Sequence, residues 1–311
     1  MLFRHSLGRV NSENLMEVSL NRRDLESKLD ATRAKHGPWT AHNIKLLEGL
    51  YTIGPDASSS DIMRGDYFAA ICMSVLRQSF HDLKVLDLGC LEGGLSIQFA
   101  RHGAQVDGLD IRADSIAKAR IVAELLKLER VRFFEGNVLD ILSNTSLLPS
   151  YDVILCAGLL YHLDAKDHLL FMQSLARLCN RLTIIDTHIS FDGPDEYQNA
   201  EGLLMRGKFI EEGGQSFADR SSAMWSSWEN NRSFWPTEPT LLNGLNYAGF
   251  EFVAAARQPV FKWPWKDRST WLAFKGQKSE VILPCCPVPE LDERTVTHPS
   301  LTVGRNFGIK F

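Results

Sequence analysis

Four side chains able to do chemistry stand at the ends of apolar runs. Asp87 and Asp110 close KVLDL (84–88) and AQVDGLD (104–110), and His162 and His188 follow or end YDVILCAG (151–158) and RLTIIDTH (181–188). A carboxylate at a strand end accepts hydrogen bonds from hydroxyls or an ammonium group. Histidine is the side chain best suited to take a proton at neutral pH. Between the aspartates, Gly89 and Gly93 in VLDLGCLEGGLS (85–96) let the backbone turn sharply and pass close to a ligand. The helix expected after them offers free N–H groups to an anionic group. The six cysteines are scattered without a CxxC, and Cys285-Cys286 reads as tail packing. No metal site or disulfide framework is expected, and the thiol usage suits a reduced, cytoplasmic protein.

The elements that must position these residues form a rhythm. Gly93–Arg101, Ala113–Leu128 and Lys166–Cys179 carry helical periodicity between the strands KVLDL, AQVDGLD, VRFFEG (131–136), YDVILCAG and RLTIIDTH. Alternating strands and helices imply βαβ units and a parallel sheet covered on both faces. FEFVAAA (250–256) and STWLAFK (269–275) lack an intervening helix and read as an antiparallel pair. Thr237 is the expected cap, and Pro239 the first-turn residue, of a helix ending at Gly249. Two further helices are expected before the sheet: Asn21–Lys35, with Leu25 and Leu29, and Ile62–Phe80, with Phe68, Ile71, Cys72, Val75 and Leu76 on one face. The expected organisation is an N-terminal helical segment or lid (1–80), an α/β domain (81–277) with an insertion (189–235), and a tail (278–311). The insertion reads as a long binding loop or lid.

A carboxyl-edge cleft with two aspartates suits two cofactor classes. A dinucleotide needs GxGxxG so that its pyrophosphate can lie on the helix. Here Leu91 fills the middle position and would crowd it. S-adenosylmethionine has no pyrophosphate: Asp87 can meet its ammonium group and Asp110 its ribose hydroxyls. DLGCLEGG followed by GLDIR resembles the first two motifs of the class I S-adenosylmethionine-dependent methyltransferases, and EGNVLD (135–140) falls where that family contacts the adenine. The resemblance implies a Rossmann-like seven-stranded, mostly parallel sheet with an antiparallel last strand. It also implies cofactor contacts from Asp87, Gly89, Gly93, Asp110, Asn137 and Val138. Leu91, where the family usually has glycine, is a departure.

Methyl transfer needs an aligned nucleophile and, for a hydroxyl, a base. His162 and His188 are the candidate bases. Tyr161 is a candidate for lining the acceptor site. The insertion contributes Trp225, Trp228, Arg232, Phe234 and Trp235, among which Arg232 and Trp235 are candidates for stacking and charge on the acceptor. Trp39 and His42 are placed to cover the cofactor or to pack. The turn after the fourth strand, Leu159-Leu160-Tyr161-His162, replaces the Asn/Asp-Pro-Pro-aromatic motif of DNA amino-methylating relatives. AGLLYHLDAKDHL, LTIIDTHISFDG and NRSFWPTEPTLLNGLNYAGFEF are similar to parts of the tRNA wobble-uridine carboxymethyl-transferring enzymes, which use a carboxylated cofactor. Arginines such as Arg64 or Arg232 could read the extra carboxylate, but nothing in the sequence places them.

Net charge is −4 and the sequence pI about 6.2, which argues against a uniformly basic nucleic-acid surface. The N-terminus has no continuous apolar h-region, and no stretch approaches the roughly 18 apolar residues of a membrane span. The leading expectation is therefore a methyltransferase acting on an oxygen of a small-molecule or sugar acceptor. A tRNA-modifying relative and an inactive cofactor-binding regulator are the alternatives.

Overall fold

The computed structural model describes residues 12–57, 60–143, 148–212, 216, 227–228, 230–256 and 267–276. The chain divides into two compact units, Met1–Gln277 and Lys278–Phe311, and every described residue belongs to the first. Trp225, Cys285-Cys286 and the tail lie outside the described residues.

The short apolar runs become the strands of one seven-stranded sheet. In chain order these are β3 (Lys84–Leu88), β4 (Gln105–Asp110), β5 (Val131–Glu135), β6 (Tyr151–Ala157), β7 (Cys179–His188), β11 (Phe252–Ala256) and β12 (Arg268–Phe274). Their spatial order is β11-β12-β7-β6-β3-β4-β5. β3, β4, β5, β6 and β7 pair in parallel, and β12 is antiparallel to both β7 and β11. Side-chain alternation sorts each strand onto two cores. Val85, Val106, Val153 and Leu155 face one cluster, and Leu86, Leu88, Ile154 and Cys156 face the other. The first cluster is covered by α1 (Ser12–His36), α2 (Ser60–Leu76), α3 (Gly94–Arg101) and α4 (Ala113–Leu125), through residues such as Leu29, Phe68, Ile97 and Val122. The second is covered by α6 (Ala165–Leu178) and α7 (Glu238–Ala248), through Phe171, Leu175, Leu241 and Leu245. Each fully buried side chain of this kind contributes about 1.5–3 kcal/mol. Leu25, Leu29, Phe68 and Cys72 thus belong to the same core as the sheet.

The expected elements are present, with ends set by local backbone. α2 stops at Leu76 rather than Phe80 because Arg77 turns into the left-handed region (φ 49°), as Lys127 does (φ 53°) after α4. Thr237 caps α7, its hydroxyl accepting from the Thr240 N–H, and Gly249 ends that helix at φ 102°. α5 (Val138–Ser143) and the β1 (Lys45–Leu47)–β2 (Leu50–Tyr51) hairpin are additional.

The insertion differs from the expected long loop. It holds β8 (Asp195–Gln198), β9 (Leu204–Glu211) and β10 (Arg232–Pro236), an antiparallel sheet in the order β10-β9-β8. Along β9, Leu204, Arg206 and Lys208 are exposed while Met205 and Gly207 are buried. The period of two satisfies the backbone and seats Met205 with Phe234 and Ala165. Among the described residues, no helix is long and apolar enough to cross a membrane.

Candidate active site

Strand order reverses at β3: its chain successor β4 lies on one side and β6 on the other. Loops leaving the carboxyl ends of β3 and β6 therefore diverge and leave a crevice. Two lobes open there, enclosing about 910 and 530 Å³ of non-atom space, open solvent included. They share Gly89, Asp110, Ile111, Leu159, His162, Ser227 and Trp228, so they form one cleft.

The glycine turn builds the cleft's wall. Gly89 (φ 68°) leaves β3 with Leu159 already 3.4 Å from where a Cβ would sit, so a side chain there would be strained and would crowd that leucine. Gly93 (φ 80°) caps α3 but lines neither lobe. Its missing Cβ would lie 2.9 Å from the Ala119 Cβ and the Phe133 ring, so it lets helix and strand approach. Leu91, the departure from the expected glycine, adopts φ 45° and is held there by its N–H donating to Asp110 Oδ2 at 2.9 Å. Asp110 Oδ1 accepts from the Arg112 N–H at 2.8 Å. Asp110 thus fixes two loops and still lines both lobes; burial raises its pKa against those two hydrogen bonds.

Asp87 lies beside it, buried, with Oδ2 accepting from the Ser96 hydroxyl at 2.6 Å. Burial pushes its pKa up to about 7, against the Ser96 hydrogen bonds. Asn137 and Val138 line the second lobe with Gly136 and Leu139. The Asn137 side chain accepts from the Leu139 N–H at 2.9 Å, fixing the start of α5. This half fits an adenosine carrying an amino-acid end. Asp110 and Asp87 offer carboxylate acceptors, and Ile111, Val138 and Leu159 an apolar surface.

The other half draws on distant parts of the chain. His162 ends a 3₁₀ turn, Leu160–His162, and lines both lobes. Its Nδ1 is buried without a hydrogen-bond partner, and burial, with His188, Arg112 and Arg268 adding, pushes its pKa down to about 4. Tyr161 lines the larger lobe, and burial raises its pKa. His188 does not line the cleft. It stacks on Trp235 (4.6 Å, 17°), meets the Tyr161 ring edge-on at 4.7 Å, and pairs through Nδ1 with Asp267 at 3.0 Å. Burial lowers its pKa despite that aspartate. Trp235 therefore sits behind Tyr161 rather than in the cleft. Arg232 lies over Phe209 at 3.8 Å and near Asp164 at 3.8 Å, also away from the cleft.

Arg268, Glu92, Ser227 and Asn230 escaped the sequence reading, whereas Arg64, His42 and Trp228 are named in it without a settled place. Arg64 and Arg268 line the larger lobe, and both face Asp186, at 3.9 and 2.5 Å. Because β12 is antiparallel, its first residue, Arg268, pairs with His188 at the carboxyl end of β7; that direction was the available signal. Glu92, fully buried, accepts from the Thr40, Ala41 and His42 N–H groups and pairs with Lys118 at 3.1 Å. It thereby brings His42 to the cleft, where Nδ1 accepts from the Gly94 N–H at 3.0 Å. Trp39 instead packs in the core. Trp228 lines both lobes with Arg112 over its ring at 4.9 Å, and Ser227 and Asn230 donate to the His162 carbonyl at 3.1 and 2.9 Å.

Residues 79–204 match a family described as a methyltransferase domain. The chain is 32% identical over 122 residues to a ubiquinone biosynthesis O-methyltransferase of Cronobacter sakazakii, covering 39% of this chain and 46% of that protein. It is 33% identical over 109 residues to the chloroplastic magnesium protoporphyrin IX methyltransferase of Arabidopsis thaliana, covering 35% of this chain and 33% of that protein. It thus spans less than half the length of these curated relatives. In structure it is similar to the N-terminal domain of EvdMO1, solved with S-adenosylhomocysteine bound. The TM-score is 0.61 at 20% identity, covering 81% of this chain and 96% of that one, which is a likeness of fold.

Proposed function

We propose that this chain is a class I S-adenosylmethionine-dependent methyltransferase and that it methylates an oxygen of a small-molecule acceptor, such as a sugar or a phenol. The observation that carries the reading is the single two-lobed cleft at the sheet's switch point, with paired carboxylates on one side and aromatic and imidazole groups on the other.

When bound, S-adenosylmethionine supplies a methyl group activated by its positive sulfonium. The chain's task is to bind, align and keep water out. In this reading Asp110 takes the ribose hydroxyls and Asp87 the ammonium group, while Asn137 and Val138 flank the adenine. Trp228, Ser227 and Asn230 cover the cleft. His162, neutral at pH 7, receives the acceptor's proton. His188, held by Asp267, acts as a positioning residue that keeps Tyr161 edge-on to the cleft. The buried free thiols of Cys72, Cys90, Cys156 and Cys179 fit a reducing compartment, so the reaction is proposed for the cytoplasm.

The test is incubation with methyl-labelled S-adenosylmethionine and extract divided into metabolite, lipid, RNA and protein fractions. Label in metabolites, lost with Asp110→Ala, is the expected result. Label confined to RNA would replace the small acceptor with a nucleic acid. Cofactor binding with no label in any fraction would make the protein a binder.

A further inference from the structure

The larger lobe holds more positive charge than its cofactor requires. Arg64, Arg112 and Arg268 line it, with Asp87 and Asp110; Asp186 stands directly behind. Three guanidiniums thus meet three carboxylates before any ligand arrives. S-adenosylmethionine carries an ammonium, a sulfonium and only one carboxylate, so its binding leaves the enclosed site net positive. Buried charge without a counter-charge is costly.

The cofactor's carboxylate cannot draw on all three cations. It sits on the same carbon as the ammonium group, so its partner must lie near Asp87. Arg64 is in Coulomb reach of Asp87, and Arg112 is in reach of Asp110. Arg268 belongs to the other side. One of its terminal nitrogens lies 3.4 Å from the position a Gly158 Cβ would take, and the Tyr161 hydroxyl lies 3.8 Å from that same point. The guanidinium is also hydrogen-bonded to the Tyr161 phenol, so the two groups act together at the carboxyl end of β6, where the acceptor would enter. Asp186 orients it through Nε at 2.5 Å and is itself fixed by the Thr270 hydroxyl at 2.8 Å.

We propose that the acceptor carries an oxyanion, a carboxylate or a phosphate, and that Arg268 together with the Tyr161 hydroxyl reads it; this rests on the methyl-transfer reading above. The same anion would act on His162. Its unpartnered Nδ1 is buried, and that burial, with His188, Arg112 and Arg268 adding, holds the ring neutral and weakly basic. An oxyanion beside it offsets the positive neighbours and raises its basicity.

The test passes metabolite extract over an anion exchanger before assay, giving a retained anionic pool and a neutral flow-through. Each is incubated with the full chain and methyl-labelled S-adenosylmethionine, and S-adenosylhomocysteine affinity is measured alongside by calorimetry. The expected result is label from the anionic pool only. Arg268→Gln should lower that transfer roughly 10- to 100-fold, the loss of one or two charge-assisted hydrogen bonds, with S-adenosylhomocysteine affinity kept. Because Arg268→Gln leaves Asp186 with a weaker partner, an Arg268→Gln/Asp186→Asn double variant removes both charges and must show the same loss. Eluting the retained pool stepwise separates carboxylates from phosphates. Label from the neutral pool, or full transfer by a folded double variant, would overturn the proposal while leaving methyl transfer standing. No label from either pool, with S-adenosylhomocysteine still bound, would sink the small-molecule acceptor reading and this proposal with it.

Discussion

The two halves of the cleft use buried carboxylates in opposite ways. On the cofactor side, Asp110 is satisfied by backbone N–H groups of Leu91 and Arg112, and Asp87 by a serine hydroxyl. On the acceptor side, Asp186 is satisfied by the guanidinium of Arg268 and a threonine hydroxyl, with Arg64 close by. Neutral donors leave a carboxylate ready to receive a cationic or hydroxylic ligand. A guanidinium uses the carboxylate up and, with the Tyr161 phenol that Arg268 also meets, turns that side of the cleft positive. One half is thus built to receive donors and the other to receive acceptors.

The difference predicts unequal costs of removal. Asp186→Ala strands two buried guanidiniums and should destabilise the protein by about 3–5 kcal/mol in urea unfolding, the usual cost of breaking a buried ion pair on one side. A loss below about 1 kcal/mol would mean that water reaches the arginines and that the acceptor side is not an enclosed charged site.

Asp87 should show itself through pH. Its folded pKa is raised to about 7 by burial, so the folded state holds a proton that the unfolded state releases near pH 4. Stability from this group is full below that lower pH and is lost as pH rises toward 7. His162 runs the other way. Its folded pKa is lowered to about 4, so its contribution is present above about 6.5 and lost as pH falls. Asp87→Asn should therefore leave a protein whose stability falls on acidification, and His162→Asn one whose stability falls on alkalinisation. S-adenosylhomocysteine should bind wild type more tightly as pH rises through 7, since the ammonium needs the ionised carboxylate; Asp87→Asn should flatten that profile. An unchanged profile in Asp87→Asn would remove Asp87 from the ammonium's site.

Asp110→Ala comes next in size. Loss of the ribose contacts and of the two N–H anchors should weaken S-adenosylhomocysteine roughly 10- to 100-fold by calorimetry. The residues behind these cofactor-side predictions were legible in the chain because one βαβ unit carries them. Strand end, glycine turn, helix start and the next strand end lie in a single short stretch, and local geometry dictates where each side chain goes. Glu92 was hidden in that same stretch. Nothing in the turn itself shows that it reaches back to residues 40–42, an association only tertiary packing creates. The acceptor side combines Tyr161 after β6, Asp186 of β7 and Arg268 of β12, with Arg64 of α2 between Asp186 and Asp87, and these meet only through strand order and packing. His188 and Trp235 had the right positions along the chain to be site residues, yet they stack on each other behind Tyr161. A strand-end position fixes the edge of the sheet on which a side chain lies, and neighbouring rings then decide whether it faces the cleft.

The smallest effect belongs to Arg232, and it sharpens the boundary between the cleft and the three-stranded sheet. Its guanidinium covers the Phe209 ring and lies 3.8 Å from Asp164, with 43% of the side chain exposed. An exposed cation–π contact and a screened ion pair are each worth about 1 kcal/mol or less. Arg232→Ala should therefore change stability by about 1 kcal/mol at most and leave transfer to the anionic pool within about twofold of wild type, since two-fold is well under the 1.4 kcal/mol of a tenfold change. A tenfold loss of transfer with stability intact would mean that the acceptor extends beyond the cleft and across β9 and β10. The oxyanion would then be one feature of a longer ligand, and the insertion sheet would be part of the acceptor site rather than its support.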